Sequence, residues 1–375
     1  MDSLQRALSD VVQTLSRREN HRVVYITTTA TTAAAALALL AYSRHCYAEW
    51  HALGESGVPR TVGGWLINVA AHALARRDHR AVPAPYEREK QQQRGDDSRQ
   101  RGGKGKGKGK GKEGTVTTTT VIALSPRDKE RYGEHSRTSF FPAEILVTRK
   151  HGDGADLLPA RGAPRPTVPT TVVPQRQTTE TAASATVARQ DAYIAALAAA
   201  NGRLLAVRPS ALESPNFGAL WLLGPEARRQ QRRRGRDERG AESSGGVKEA
   251  EGDDDDDDEE EGEEEEEVRA VDPARAGWLP RRALGEVAHV HAEGSAHVCL
   301  SLVDAAAVVR RGWGERHKLS GVAGVLPWGY VLLYAPRDGE PRDWDVWKGI
   351  VLAGARAVAR SAGFEGEVVA PDSPE

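Results

Sequence analysis

GEVAHVHAEGSAHVCLSL, residues 285–302, is the stretch on which the reading of this chain turns. Strand side chains alternate between faces, so His289 and His291 share one side while Ala288 and Val290 take the other. In the run that follows, His297, Cys299 and Ser301 oppose Val298, Leu300 and Leu302. The intervening AEGSA reads as a five-residue loop containing glycine, a reasonable hairpin connection. A symmetric hairpin would set His291 across from His297 and His289 across from Cys299, with all three imidazoles on one surface. A one-residue slip would drive the histidines into the apolar layer and expose Val290, Val298 and Leu300, so that register is disfavoured. Imidazoles titrate near neutrality and suit acid–base work. An H-x-H pair with a third histidine or a carboxylate also supplies enough ligands for a metal. Glu286 and Glu315 are the nearest carboxylates in sequence outside the loop. The plain alternative is a set of histidines on the wetter face of a sheet, making ordinary hydrogen bonds.

Two further clusters follow. In WGERHKLSG, Gly312 and Gly314 flank Trp313, so a sharp turn could present Trp313, Glu315, Arg316 and His317 from a loop. An indole beside a guanidinium suits a flat aromatic or an enolate. Tyr334 and Arg337 then close a strand on which Tyr330, Leu332 and Tyr334 share a side. Elsewhere, residues 184–200 are Ala-rich with Val187, Asp191, Ile194 and Leu197 along one side, and Asn201-Gly202 stops the helix. Strands are expected at 203–207, 217–223, 286–291, 297–302 and 330–334. Asp304 is the expected N-cap of a helix through Arg311, and a final helix runs from about Asp343 to Arg360. Strands grouped with helices, without regular βα alternation, predict an α+β fold: a largely antiparallel sheet with flanking helices, preceded by an N-terminal transmembrane helix.

That transmembrane helix is read at residues 23–42, VVYITTTATTAAAALALLAY, which carry no charge. Twenty residues at ~1.5 Å rise match the ~30 Å hydrocarbon core of a bilayer. Threonine hydroxyls can bond back to the helix's own carbonyls. The length exceeds the apolar region of a signal peptide. Leu4, Leu8, Val11, Val12 and Leu15 make residues 1–22 an amphipathic segment, and Arg6, Arg17, Arg18 and Arg22 favour a cytoplasmic N-terminus. Residues 43–82 form a membrane-proximal helical region in which the stretch 62–75 is too short to span.

The 375 residues are 39% hydrophobic and only 5% aromatic, and the net charge of −1 conceals blocks of opposite sign. Residues 103–113 hold five lysines alternating with glycine, 228–239 are Arg-rich, and 253–267 are acidic at fourteen of fifteen positions. Disordered insertions are therefore expected at 83–114 and 226–269. They divide the folded part into 115–225 and 270–364, followed by a tail at 365–375. Two cysteines exclude a disulfide-stapled scaffold and a four-cysteine zinc site. There is no glycine-rich phosphate loop and no G-x-S-x-G elbow. The charged blocks lack aromatics and the acidic run would repel phosphate, so no nucleic acid is expected as a partner.

The E-x-A-H-x-H of Glu286, Ala288, His289 and His291, the following His297 with L-S-L, the G-W-G-E-R-H of 312–317, the L-x-G of 319–321 and the L-Y-A-P-R of 333–337 together resemble the fungal luciferase-like family. Gly63-Gly64-Trp65, Pro164-Arg165-Pro166 and Pro174-Gln175-Arg176-Gln177 look similar too. The resemblance implies a fungal oxidoreductase of the monooxygenase kind. Luminous members resemble cofactor-independent oxygenases that add O2 to a hydroxylated pyrone. Carried to this chain, it implies a small aromatic or pyrone-like substrate with O2, no cofactor, and single-pass anchoring in membrane lipid, with the endoplasmic reticulum as the expected location. His289, His291 and His297 would then contain the base. Arg316, His317 and Arg337 would hold the anion and the peroxide, while Trp313, Glu315 and Tyr334 would contact the substrate. Two other readings stand beside it: a metal ion held by the histidine cluster, and a membrane-tethered interaction protein without catalysis.

Overall fold

The computed structural model describes residues 2–81, 138–147, 158–225, 271–275, 283, 285–322 and 325–372. The insertions expected at 83–114 and 226–269 lie outside these residues. The chain divides into two compact units, Met1–Gly54 with Arg60–Trp65, and Glu55–Pro59 with Leu66–Glu375.

The first unit is dominated by α1, Asp2–Ala52, one uninterrupted helix through both the amphipathic and the apolar segments. Its Tyr25–Ala52 portion is 28 residues long with a mean hydropathy of 1.3, long and apolar enough to cross a membrane. Leu37, Leu39, Leu40 and Tyr42 all project outward and are exposed. Thr29, Thr31 and Thr32 donate to the carbonyls of Tyr25, Thr27 and Thr28, each at 2.8 Å, so these hydroxyls are satisfied within the helix itself.

The second unit is built on a six-stranded antiparallel sheet. In chain order the strands are β1 Leu205–Pro209, β2 Gly218–Leu222, β3 Glu286–Val290, β4 Ala296–Cys299, β5 Gly314–Arg316 and β6 Tyr330–Leu333. Their spatial order is β1-β2-β3-β4-β6-β5, which puts β3 and β4 at the centre. Three helices cover one face: α3 Ser184–Ala200, α4 Leu302–Arg311 and α5 Pro341–Ser361 (a short α2, Val62–Ala71, precedes them). Ala288, Val290, Val298 and Val331 join the core with Ile350, Val351 and Val358 of α5. A Cβ on Gly354 would lie 2.7 Å from Val298 Cγ1 and 2.8 Å from the Cys299 carbonyl, so helix and sheet approach as closely as they do only because that side chain is missing.

Four local expectations are corrected. The β3–β4 register sets His289 opposite His297 and Val290 opposite Ala296, two residues away from the symmetric five-residue loop. His291 pairs with Ser295 instead, its N–H donating to the Ser295 carbonyl at 2.8 Å. Gly294, at φ +89, allows this tighter three-residue turn. A shift of two conserves the face of every side chain, so the histidines remain together. Strand β4 ends at Cys299 because Ser301, not Asp304, caps α4, its hydroxyl accepting the Asp304 N–H. The Asp304 carboxylate instead accepts from Ser139 Oγ at 2.6 Å and from the Phe140 N–H at 2.9 Å. Residues 314–316 are a strand and not a loop. Gly312 at φ +80 closes α4, and the bare Cα of Gly314 lets β5 settle on β6, where a Cβ would come 2.4 Å from the Leu332 carbonyl.

Candidate active site

The face of the sheet opposite the three helices carries the histidines, and it is buried rather than wet: His289, His291 and His297 are 1%, 0% and 2% exposed. Their rings form a triangle with centroids 5.1 Å (289–291), 5.3 Å (289–297) and 4.8 Å (291–297) apart. His317 joins at 5.1 Å from His297, and Tyr330 stacks on His297 at 4.9 Å.

The β1–β2 loop folds over this face and delivers the residue that the sequence reading missed. Ser210 Oγ accepts the N–H groups of Leu212 and Glu213, shaping the loop, and donates to Glu286 Oε1 at 2.7 Å. The Ala211 N–H donates to Glu286 Oε2 at 2.8 Å. Glu213 is thereby placed with Oε1 3.9 Å from His289 Nε2 and 3.8 Å from His291 Nε2, while its Oε2 accepts from Arg176 at 2.9 Å. One donor atom from each of Glu213, His289, His291 and His297 lies within 4.8 Å of the others, so these four residues could hold a metal ion. Of the carboxylates favoured from sequence, Glu286 sits behind His289, and Glu315 is engaged elsewhere.

Hydrogen bonding fixes where the ring protons are. Burial opposes ionisation of Glu286, but bonds from His289, Ser210 and Ala211 outweigh it and hold the carboxyl below its usual range. Glu286 accepts from His289 Nδ1 at 2.7 Å, and in the neutral imidazole this leaves Nε2 with the bare lone pair. Ser295 donates its hydroxyl proton to Glu293, so its Oγ accepts from His291 Nδ1 at 2.8 Å, and His291 Nε2 is bare as well. Among the described residues, His289 Nε2, His291 Nε2 and His297 Nδ1 are buried without a hydrogen-bond partner. Burial holds His291 and His297 well below the ordinary imidazole range, with Arg176 and the neighbouring imidazoles adding to it, so both rings are neutral at pH 7. Burial likewise takes His317 down to about 3. The Leu319 N–H donates to His317 Nδ1 at 3.0 Å, so the neutral ring carries its proton on Nε2. Burial also raises Glu213, against the pull of Arg176.

A cavity of about 460 Å³ opens beside the cluster. Glu213, His297, His317, Gln175 and Tyr330 supply its polar side, and Ile67, Leu74, Leu212, Leu319 and Leu326 are among the apolar residues that complete it. Trp313, Glu315, Arg316, Tyr334 and Arg337 are not among its lining residues. Trp313 is buried and donates its indole N–H to the Pro159 carbonyl at 2.6 Å. Glu315 accepts from Arg80 Nε at 2.7 Å, Gln175 Nε2 at 2.9 Å and the Tyr334 hydroxyl at 2.9 Å. Arg316 pairs with Asp78 at 3.0 Å, and Arg337 grips Asp343 through two bonds of 2.6 and 2.9 Å. Of the expected anion-holding groups, the structure therefore brings only His317 to the cavity. The Gln175-Arg176-Gln177 run, noted in the sequence only as a likeness, ties the layers together: Gln175 bonds Glu315, Arg176 bonds Glu213, and Gln177 Oε1 accepts the Ala335 N–H at 2.9 Å.

Residues 284–354 match the family model described as a luciferase domain. A protein from Neonothopanus nambi described as a luciferase is 41% identical over 64 residues, 16% of this chain and 24% of that relative. The match thus spans about a quarter of the relative's length. No solved structure matches. The matched stretch holds His289, His291, His297 and His317, whereas Glu213 and Arg176 lie before it. Residues 284–354 of the chain therefore form a luciferase-like domain.

Proposed function

We propose that this domain is an oxygenase, anchored to a membrane by α1, that acts on a small, flat, enolisable molecule of aromatic or pyrone-like character. The observation that carries the reading is the cavity: about 460 Å³, largely apolar, with its polar groups gathered where Glu213, His297 and His317 meet. A flat ring fits the apolar part, and its enolisable oxygen and carbon face the polar side. The polar side removes a proton from the substrate carbon, O2 adds to the resulting carbanion, and the peroxide oxygen takes a proton back. Substrate and O2 thus become a hydroperoxide with no atom unaccounted for. His317, neutral and protonated at Nε2, donates to the enolate oxygen and stabilises its charge without carrying one itself. The oxygenase chemistry is carried over from the luciferase likeness, and the geometry supports it by placing acceptors and a donor at one end of an apolar chamber.

Oxygen uptake by the purified full chain tests this, with a panel of hydroxylated pyrones and phenols as substrates. Uptake should require an enolisable substrate. It should fall ~10²–10⁴-fold in His297→Ala and His317→Ala, with near-wild-type circular dichroism. No uptake with any member of the panel, or equal uptake by the variants, would overturn the reading. Light emission is expected to be absent or very weak.

A further inference from the structure

We infer that Glu213, His289, His291 and His297 form a binding site for one divalent transition-metal ion. The acceptors of this cluster are unmatched. The two Nε2 lone pairs of His289 and His291 point at Glu213 Oε1 from 3.9 and 3.8 Å, and among the described residues no donor lies between them. A protonated Glu213 does not resolve this, because a hydrogen bond needs ~2.6–3.2 Å. Leaving buried acceptors facing one another is unfavourable, since each forfeits the hydrogen bond it had in water. A cation in their midst satisfies all of them together.

The support behind the ligands fits the same reading. A metal-ligating imidazole characteristically gives its other N–H to a carboxylate or similar acceptor, which orients the ring. His289 gives its Nδ1–H to Glu286, and His291 gives its Nδ1–H to Ser295, which is backed by Glu293. Three carboxyl groups, Glu213, Glu286 and Glu293, lie around the cluster, with Arg176 bonded to Glu213 at 2.9 Å and 3.8 Å from Glu293. Three imidazoles and one carboxylate suit zinc, iron or manganese, and they disfavour calcium and magnesium, which prefer all-oxygen shells. Ligands at ~2.0–2.2 Å from an ion in a tetrahedral shell stand ~3.3–3.6 Å apart, so the 4.8 Å spread closes by about 1.2–1.5 Å on binding, within reach of side-chain rotation. The cavity meets the cluster at Glu213 and His297, so an ion there would have an open position facing any bound molecule.

The site stands on ligand geometry and not on the oxygenase reading, and its test uses neither substrate nor O2. The full chain, purified in detergent from medium containing iron, zinc and manganese, should retain ~1 equivalent of metal. After chelator treatment, cobalt(II) alone should rebind with the visible bands of a nitrogen–oxygen environment, and chelation should lower the Tm. Glu213→Gln and His291→Asn should each lose at least ~10-fold in metal affinity, whereas His72→Asn, outside the cluster, should not. Should a variant fail to fold by circular dichroism, the wild-type stoichiometry and cobalt spectrum decide alone. Wild-type protein with no retained metal and no cobalt bands would overturn the inference, as would folded Glu213→Gln and His291→Asn variants with unchanged affinity. Metal retained without oxygen uptake would refute the proposed activity and leave the site standing.

Discussion

Replacing Glu286 with glutamine changes one oxygen to NH2 and nothing in shape, yet the structure predicts a loss of both stability and metal affinity. Oε1 accepts from Ser210 Oγ and His289 Nδ1, both at 2.7 Å, and Oε2 accepts from the Ala211 N–H at 2.8 Å. All three are donors. With the amide NH2 in the place of Oε2 it meets a backbone donor that cannot turn away. With the NH2 in the place of Oε1, Ser210 is no help, because its Oγ already accepts two backbone N–H groups. His289 must then move its proton to Nε2, the atom aimed at Glu213. Either way a buried donor is stranded, at about 1–3 kcal/mol. With ~2–4 °C of Tm per kcal/mol for a domain of this size, Glu286→Gln should melt ~2–12 °C lower. Its cobalt(II) affinity should fall by ~10–100-fold, the usual effect of losing the acceptor behind a ligating imidazole. Differential scanning fluorimetry and cobalt titration measure the two effects. A Glu286→Gln protein that melts with the wild type and binds cobalt equally well would refute the proton assignment at His289.

Asp304 is fully buried, and burial raises its carboxyl from 3.8 to about 6 despite the bonds from Ser139 and Phe140. Its folded value lies above its unfolded one, so stability is present at low pH and is lost as pH rises between those values, by about 3 kcal/mol. A neutral amide at this position could still accept the Phe140 N–H and donate to Ser139 Oγ. Asp304→Asn should therefore flatten this dependence and be the more stable protein at pH 7.5; denaturant melts that fall in parallel would count against it. Gly354→Ala should destabilise by ~1–3 kcal/mol through overpacking, because its Cβ meets Val298 and the Cys299 carbonyl within 2.8 Å. Gly162→Ala, with open space around it, should be neutral in the same urea titration. Alkaline carbonate should leave the full chain in the membrane pellet, and a chain lacking residues 1–52 should be released; extraction of the intact chain would exclude a spanning α1.

Some of this was legible in the residues alone. Period-2 alternation over 288–299 put the imidazoles on one side and Val290 and Val298 on the other, and it held although the turn was misjudged, because a register error of two changes no face. The charge-free run near the N-terminus, the Ala-rich helix and the final helix followed from length and periodicity, which are local properties. The cap of α4 and the identity of β5 were missed. Ser301 reads equally well as strand or cap, and Gly314 looks like a turn residue until the Leu332 carbonyl beside it is seen.

What only tertiary structure decided is which charges meet. The sequence offered Glu286 and Glu315 as partners for the histidines because they are near in the chain. The fold gave Glu286 a place behind His289, tied Glu315 to Arg80, Gln175 and Tyr334, and brought in Glu213 from a loop between two strands. It also turned Arg316 and Arg337, attractive on paper, toward Asp78 and Asp343. Alternation along a strand is imposed by the backbone and survives in the sequence. The pairing of buried charges depends on which loops close over the sheet, and desolvation then allows only pairs that satisfy one another.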